Sequence, residues 1–230
     1  TFVITNINMR KNTFIIGFAA IALAMGSCGS NATEASGADS VAQADSAAST
    51  YTVDAASSTL GWFGTHSVGT GDHSGTINIT EGSLSLANGN ITAGSFVVDM
   101  ASIKCTDSLP AEYLTKLHGH FAGEDFFNTA KFPTAKFEIT ACEAKADGEN
   151  THFISGNLTL RDSTKNISFP AKVTVADGVT ATAKVVINRL DWGINYDKDN
   201  MTLAEAAQKK LKNGVVSKDI TLTINLTAKK

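Results

Sequence analysis

The sequence predicts an all-β domain in which about eight antiparallel strands close into a barrel, interrupted by one or two short helical inserts. Three observations point there. From Tyr51 onward apolar and polar residues alternate with period two, segment after segment, as a sheet with one dry face and one wet face requires. Turn-forming pairs recur between those segments, at Gly71-Asp72, Asn88-Gly89, Asp147-Gly148, Asp162-Ser163 and Asp177-Gly178. The composition, with 19 glycines, 3 prolines and many Thr, Ser and Val residues, suits strands joined by glycine turns. A twisted sheet of that size with one apolar face must pack on a second sheet or close on itself, and closure removes the sticky edges.

The N-terminal stretch is not expected to join this fold. Residues 1–8 precede Met9 and are expected to lie upstream of the true start, because an export signal begins at its basic end. Residues 9–27 have the order of a secretory signal: Arg10-Lys11, an uncharged apolar run from Phe14 to Met25, then Gly26-Ser27 ahead of Cys28. That run is 12 residues long, against roughly 20 for a spanning helix, so a cleaved signal is favoured over a permanent span. Small residues directly before Cys28 resemble a lipobox, which makes Cys28 the expected lipid anchor, on the periplasmic side of a bacterial membrane. Met25, where that pattern most often has Leu, leaves a plain signal peptide as the alternative. Cleavage removes two cations and shifts the formal charge from -3 to -5. A mildly acidic chain gives no electrostatic reason to expect nucleic acid as a partner.

Residues 28–50 are rich in Ala, Ser, Gly and Asp, with Val41 as their one larger aliphatic residue, and are expected to form a disordered tether. The barrel is expected over residues 51–230. Within it Phe96, Val98 and Met100 alternate with Ser95 and Asp99, and Phe137 and Ile139 alternate with Lys136, Glu138 and Thr140. The same rhythm runs through Leu158 and Leu160, through Phe169 and Val173, and through Ile220 to Leu226. Two segments break it. Leu109 to Phe127 carries Tyr113, Leu114, Leu117 and Phe121 at near-helical spacing, and Thr202 to Glu205 reads as a capping box opening a second helix that Gly214 would end. Inserts of this length with apolar residues of their own are more often lids or plugs than idle loops.

Cys105 and Cys142 are expected to be free thiols. If Gly94 to Lys104 and Thr134 to Ala144 are neighbouring antiparallel strands, the two cysteines lie roughly 25 Å apart, beyond disulfide reach.

Three ordered motifs are similar to one known family: GEDFFNTAKFPTAKFEIT from Gly123, LTLRDSTKNISFPAKV from Leu158 and INRLDWGI from Ile187. With TVDAASSTLGWFGTH and GSFVVDMASIK also in register, the chain from Tyr51 to about Ala228 resembles the YceI-like polyisoprenoid-binding family. Arg161-Asp162-Ser163 stands where that family usually has a His-Gly turn. The resemblance implies an extended lipocalin-like barrel with a tubular pocket for an isoprenoid or fatty-acyl amphiphile, in a periplasmic setting. It implies neither enzymatic activity nor a cofactor, and it leaves a homodimer open.

Binding of that kind needs no charged contact, because apolar surface removed from water contributes roughly 25 cal/mol per Å². The inward-facing candidates are Phe96, Val98, Met100, Phe137, Ile139, Leu158, Leu160, Phe169, Val173, Val185 and Ile187, any one of which could equally be packed core. Phe126 and Phe127 are candidate lid residues, and Arg189 is a candidate partner for a polar headgroup at the barrel mouth, with an ion pair to Asp191 as its alternative use. No metal site is expected: His118 and His120 stand at i,i+2 and point to nearly opposite sides of a helix. Two rival readings stay open. One is a barrel enzyme using His118, His120, Asp125 or Cys105 on a hydrophobic substrate; the other is a ligand-free structural or stress-response lipoprotein.

Overall fold

The computed structural model describes residues 31–68, 71–195 and 215–230. The elements in order are β1 (Ser36–Gly37), β2 (Ser49–Val53), β3 (Thr59–Val68), β4 (His73–Ala87), β5 (Asn90–Cys105), α1 (Ala111–Ala122), β6 (Thr134–Asp147), β7 (Asn150–Leu160), β8 (Ser163–Val175), β9 (Gly178–Asn188) and β10 (Val215–Lys229). A 3-10 turn at Arg189–Trp192 follows β9. The expected export signal, the anchor at Cys28 and the second helix at 202–214 lie outside the described residues.

Strands β3 to β10 pair antiparallel in sequence order, and β10 pairs back onto β3, with Leu222 opposite Trp62, so the eight-stranded barrel is closed as predicted. The tight hairpin between β4 and β5 has both central residues in the left-handed region, Asn88 at φ 52° and Gly89 at φ 81°. An Asn-Gly pair reaches that geometry at little cost, and its twist matches that of the flanking strands. The expected pairing of the segments at Gly94 and Thr134 is present, with Ser95 opposite Glu138 and Asp99 opposite Thr134. Cys105 and Cys142 are accordingly free. Burial raises the Cys142 thiol to about 11, with the neighbouring Glu143 charge adding to the effect.

Residues 31–50 depart from the expectation of a disordered tether. They form a strap that crosses the outside of the barrel. Thr33 donates its N–H to the Val186 carbonyl of β9 at 2.6 Å, and β1 then pairs with Asn166 and Lys165 of β8. Asp39 and the Asn157 side chain on β7 exchange two hydrogen bonds, at 3.0 and 2.7 Å, and Ala42 donates to the Ile139 carbonyl of β6. Composition missed the strap because almost all of its bonds come from its backbone. It is short of apolar side chains, yet the barrel offers it open sheet edges. Strands β8 and β9 part beyond the Ala171–Ala183 pair, and the strap bridges them there, with Ala35 packed against the core. Asn157 points outward from β7 but is only 4% exposed, because the strap lies over it. Asn166 completes this polar seam, donating to Asn157 Oδ1 and Thr140 Oγ1, both at 3.0 Å.

At the far end β2 continues the strap, pairing with β4 on one side and with the end of β10 on the other. Just past β2, Asp54 accepts from Lys229 Nζ at 2.5 Å and from Ser57 Oγ at 2.9 Å. The Lys229 bond, then the Ser57 bond, hold its carboxyl down at about 2. A carboxyl lowered on folding contributes stability above its unfolded pKa, and that contribution fades as pH falls through the folded value. The stability gap between wild type and Asp54→Asn is therefore expected to be constant above about pH 4, to shrink toward pH 2, and to close below it. Urea denaturation across that range measures it.

Candidate functional site

The barrel is hollow. Two adjoining cavities run along its axis, one of about 420 Å³ beneath α1 and one of about 130 Å³ farther in. Leu60, Val98, Ala135, Leu158 and Leu222 line both and form the waist between them. The wall atoms of the inner chamber are apolar, which follows from the period-two pattern: each strand sends alternate side chains inward, and those positions are aliphatic or aromatic.

Most residues singled out from the sequence meet on these walls. Met100, Phe126, Phe127, Leu160 and Ile187 line the outer chamber, Phe96, Phe137, Ile139, Phe169 and Val185 the inner one, and Val98 and Leu158 both. Val173 does not. It is 6% exposed within the packed core at the closed end, where β8 and β9 are still paired and leave no room beside it.

Helix α1 caps the outer chamber, as the spacing of its apolar residues suggests. Tyr113, Leu117 and Phe121 face the cavity, and Phe121 meets the Trp62 ring edge-on at 5.0 Å and Phe126 at 5.8 Å. Phe126 in turn stacks edge-on against Phe127 at 5.6 Å, so the lid and the two aromatics form one unit. Arg161, in the left-handed conformation at φ 56°, ties that unit to the β7–β8 turn by donating from Nη1 to the Phe126 carbonyl at 3.2 Å.

Around the mouth the wall turns polar, with His66, His73, Lys116, His120 and Ser217 on the rim. Sequence reading did not place these at the site, since His66 and His73 flank a hairpin whose direction depends on tertiary pairing. Trp62 was also missed, although its parity with Leu60 marks it as inward. His66 Nδ1 donates to the Gly71 carbonyl at 2.5 Å, and His73 Nδ1 lies 2.9 Å from Asp107 Oδ2. Burial alone would raise the Asp107 carboxyl, but hydrogen bonds from His73, Ser74 and Cys105 outweigh it and bring it to about 2. Burial pushes the Cys105 thiol up.

Arg189 is not free at the mouth as a headgroup partner. It is 3% exposed, and its guanidinium donates to the carbonyls of Ile194 at 2.7 Å, Ser217 at 3.1 Å and Val216 at 3.3 Å. Its planar fork joins the 3-10 turn to the start of β10, a task a lysine could not match. Arg189→Met is expected to strand those carbonyls and lower stability by about 2 kcal/mol, read from the urea midpoint, with ligand retention unchanged. Loss of ligand at unchanged stability would restore the headgroup role.

The residues considered for an enzyme fall at different places around α1. His118 Nε2 accepts the backbone N–H of Cys105 at 3.0 Å, Asp125 is exposed beyond α1, and His120 lies on the rim.

A closed eight-stranded antiparallel barrel around a capped apolar tube is the lipocalin-like class of architecture. Within that class the chain belongs to the YceI-like domain family, whose model matches residues 51–228. Among curated relatives, a UPF0312 protein of Shewanella oneidensis is 37% identical over 86 residues, covering 34% of this chain and 44% of that protein. A UPF0312 protein of Yersinia pestis is 42% identical over 55 residues, 24% of this chain and 27% of that one. The matched stretches thus span less than half the length of these relatives. Among solved structures, a polyisoprenoid binding domain from Saccharophagus degradans superposes with a TM-score of 0.55 at 16% identity, covering 78% of this chain and 97% of that one. BcnA of Burkholderia cenocepacia does so with a TM-score of 0.53 at 16% identity, covering 76% and 98%. Both likenesses concern the fold.

Proposed function

We propose that this protein is an exported, lipid-anchored binding protein that sequesters or carries a long apolar amphiphile, of the polyisoprenoid or fatty-acyl class, and does no chemistry on it. The observation that carries the proposal is the hollow itself: two adjoining apolar chambers, capped by a helix at the end where polar side chains form a rim. A slender hydrocarbon fits that shape tail-inward, with its polar end left at the rim. The description of the Saccharophagus degradans domain as polyisoprenoid-binding supports the same ligand class.

Native mass spectrometry and organic extraction of protein purified without detergent test it. An apolar ligand released in stoichiometric amount is the expected result, and a clean apo protein that also takes up no polyprenol would overturn the proposal. The same proposal places lipid on Cys28 and the barrel on the periplasmic side of a membrane. Metabolic labelling with a fatty acid is expected to mark the wild type and not Cys28→Ala. Light scattering decides between monomer and homodimer.

A further inference from the structure

Beside the mouth the fold assembles a group of side chains that sequence spacing did not reveal. His73 opens β4, Cys105 closes β5, and Asp107 lies in the connection to α1; one ligand atom from each falls within 4.8 Å of the others. Cys105 and Asp107 are two residues apart, and His73, more than thirty residues earlier, reaches them because β4 and β5 pair over this stretch, with Gly75 opposite Cys105. We propose that His73 Nδ1, Cys105 Sγ and Asp107 Oδ2 form a three-residue site for a divalent cation of the zinc class.

The chemistry of the set favours such an ion. Nitrogen, sulfur and carboxylate oxygen together are a borderline-soft donor set, which suits zinc and disfavours calcium or magnesium. Zinc bonds of about 2.0–2.3 Å give tetrahedral ligand edges of roughly 3.3–3.7 Å. The Nδ1–Oδ2 and Sγ–Oδ2 distances are 2.9 and 3.3 Å, so those two edges need to open by only a few tenths of an ångström.

Each ligand is also steadied by a neighbour, as metal ligands characteristically are. Tyr113 Oη lies 3.3 Å from His73 Nε2, leaving Nδ1 as the atom turned toward the group. The second carboxylate oxygen of Asp107 accepts from Ser74 Oγ at 2.8 Å and Ser74 N at 3.2 Å. The Cys105 backbone N–H is held by His118. Without metal Asp107 Oδ2 accepts from both His73 Nδ1 and Cys105 Sγ. On binding, Cys105 loses its thiol proton to solvent and becomes a thiolate ligand. The His73 proton moves from Nδ1 to Nε2, facing Tyr113, so one proton is released per ion. The fourth position is left for water or another small ligand. Because Asp107 leads into α1 and Tyr113 sits on it, an ion here fixes the base of the lid.

The test uses tag-free full-length protein with zinc, competed against a chromophoric chelator, and with cobalt as a spectroscopic substitute. One ion per chain is expected, with a thiolate-to-cobalt charge-transfer band and tetrahedral ligand-field intensity. Cys105→Ser and His73→Gln are expected to weaken zinc binding at least about a hundredfold and abolish the band, and Tyr113→Phe to weaken it roughly tenfold. Cys142→Ser is expected to leave both unchanged. Circular dichroism confirms that each variant is folded. No cobalt band in the wild type, or a band that survives Cys105→Ser and is lost in Cys142→Ser, would overturn the proposal.

Discussion

Ala135→Phe is expected to weaken binding of a long apolar chain about a hundredfold while leaving the barrel folded. Ala135 lies on β6 opposite Val98, is 4% exposed, and forms part of the waist shared by the two chambers. A phenyl ring there projects into empty space and not into packed atoms, so the destabilisation stays near 1 kcal/mol. The ring nonetheless closes the passage. A chain kept out of the inner chamber leaves about four methylenes in water at ~0.8 kcal/mol each, which is about 3 kcal/mol of binding. Titration with a fluorescent polyene, together with extraction of the purified variant, measures the effect. Binding equal to wild type would mean that the inner chamber takes no part.

Gly75→Ala is expected to cost about 3 kcal/mol of stability, or to prevent folding altogether. A Cβ at Gly75 would lie 1.7 Å from the Lys104 carbonyl oxygen and 2.6 Å from Trp62 Nε1. Trp62 itself donates to that carbonyl at 3.1 Å, so three strands meet at a point where only a hydrogen fits. The obstacle is backbone, which cannot swing aside as a flexible side chain can. Gly37→Ala is the control: nothing lies within 4 Å of a Cβ there, and its effect is expected within about 0.5 kcal/mol. Urea denaturation of both variants decides. An alanine tolerated at 75 would mean that β4 and β5 separate near Cys105, and with them the proposed cation ligands.

Much of the barrel was legible because a strand's period of two is a local property. The alternation of Phe96, Val98 and Met100, or of Phe137 and Ile139, states at once that a strand exists and which side chains point inward. The same property limits what can be read. Alternation marks Val173 and Val185 alike, yet only Val185 borders a cavity, since whether an inward side chain meets a void or a neighbour depends on how closely the adjacent strands approach. The meeting of His73, Cys105 and Asp107 was illegible for a related reason: register across β4 and β5 creates it, and no short stretch of chain contains it. Arg189 was misjudged because a guanidinium can be satisfied by backbone carbonyls, which carry no sequence signature. The strap escaped notice for the same reason.

That strap sets a limit on girth. A barrel of staves widens where neighbouring staves slip apart, and here the weak seam lies between β8 and β9, beyond their last shared hydrogen bonds. Residues 33 to 42 run across four staves at that height, fastened at Val186, Asn166, Asn157 and Ile139, in the manner of a hoop. A guest can therefore grow in length toward the lid more readily than in cross-section. On the function proposed above, straight acyl chains and chains with one methyl branch per five-carbon unit are expected to suit such a bore better than fused rings.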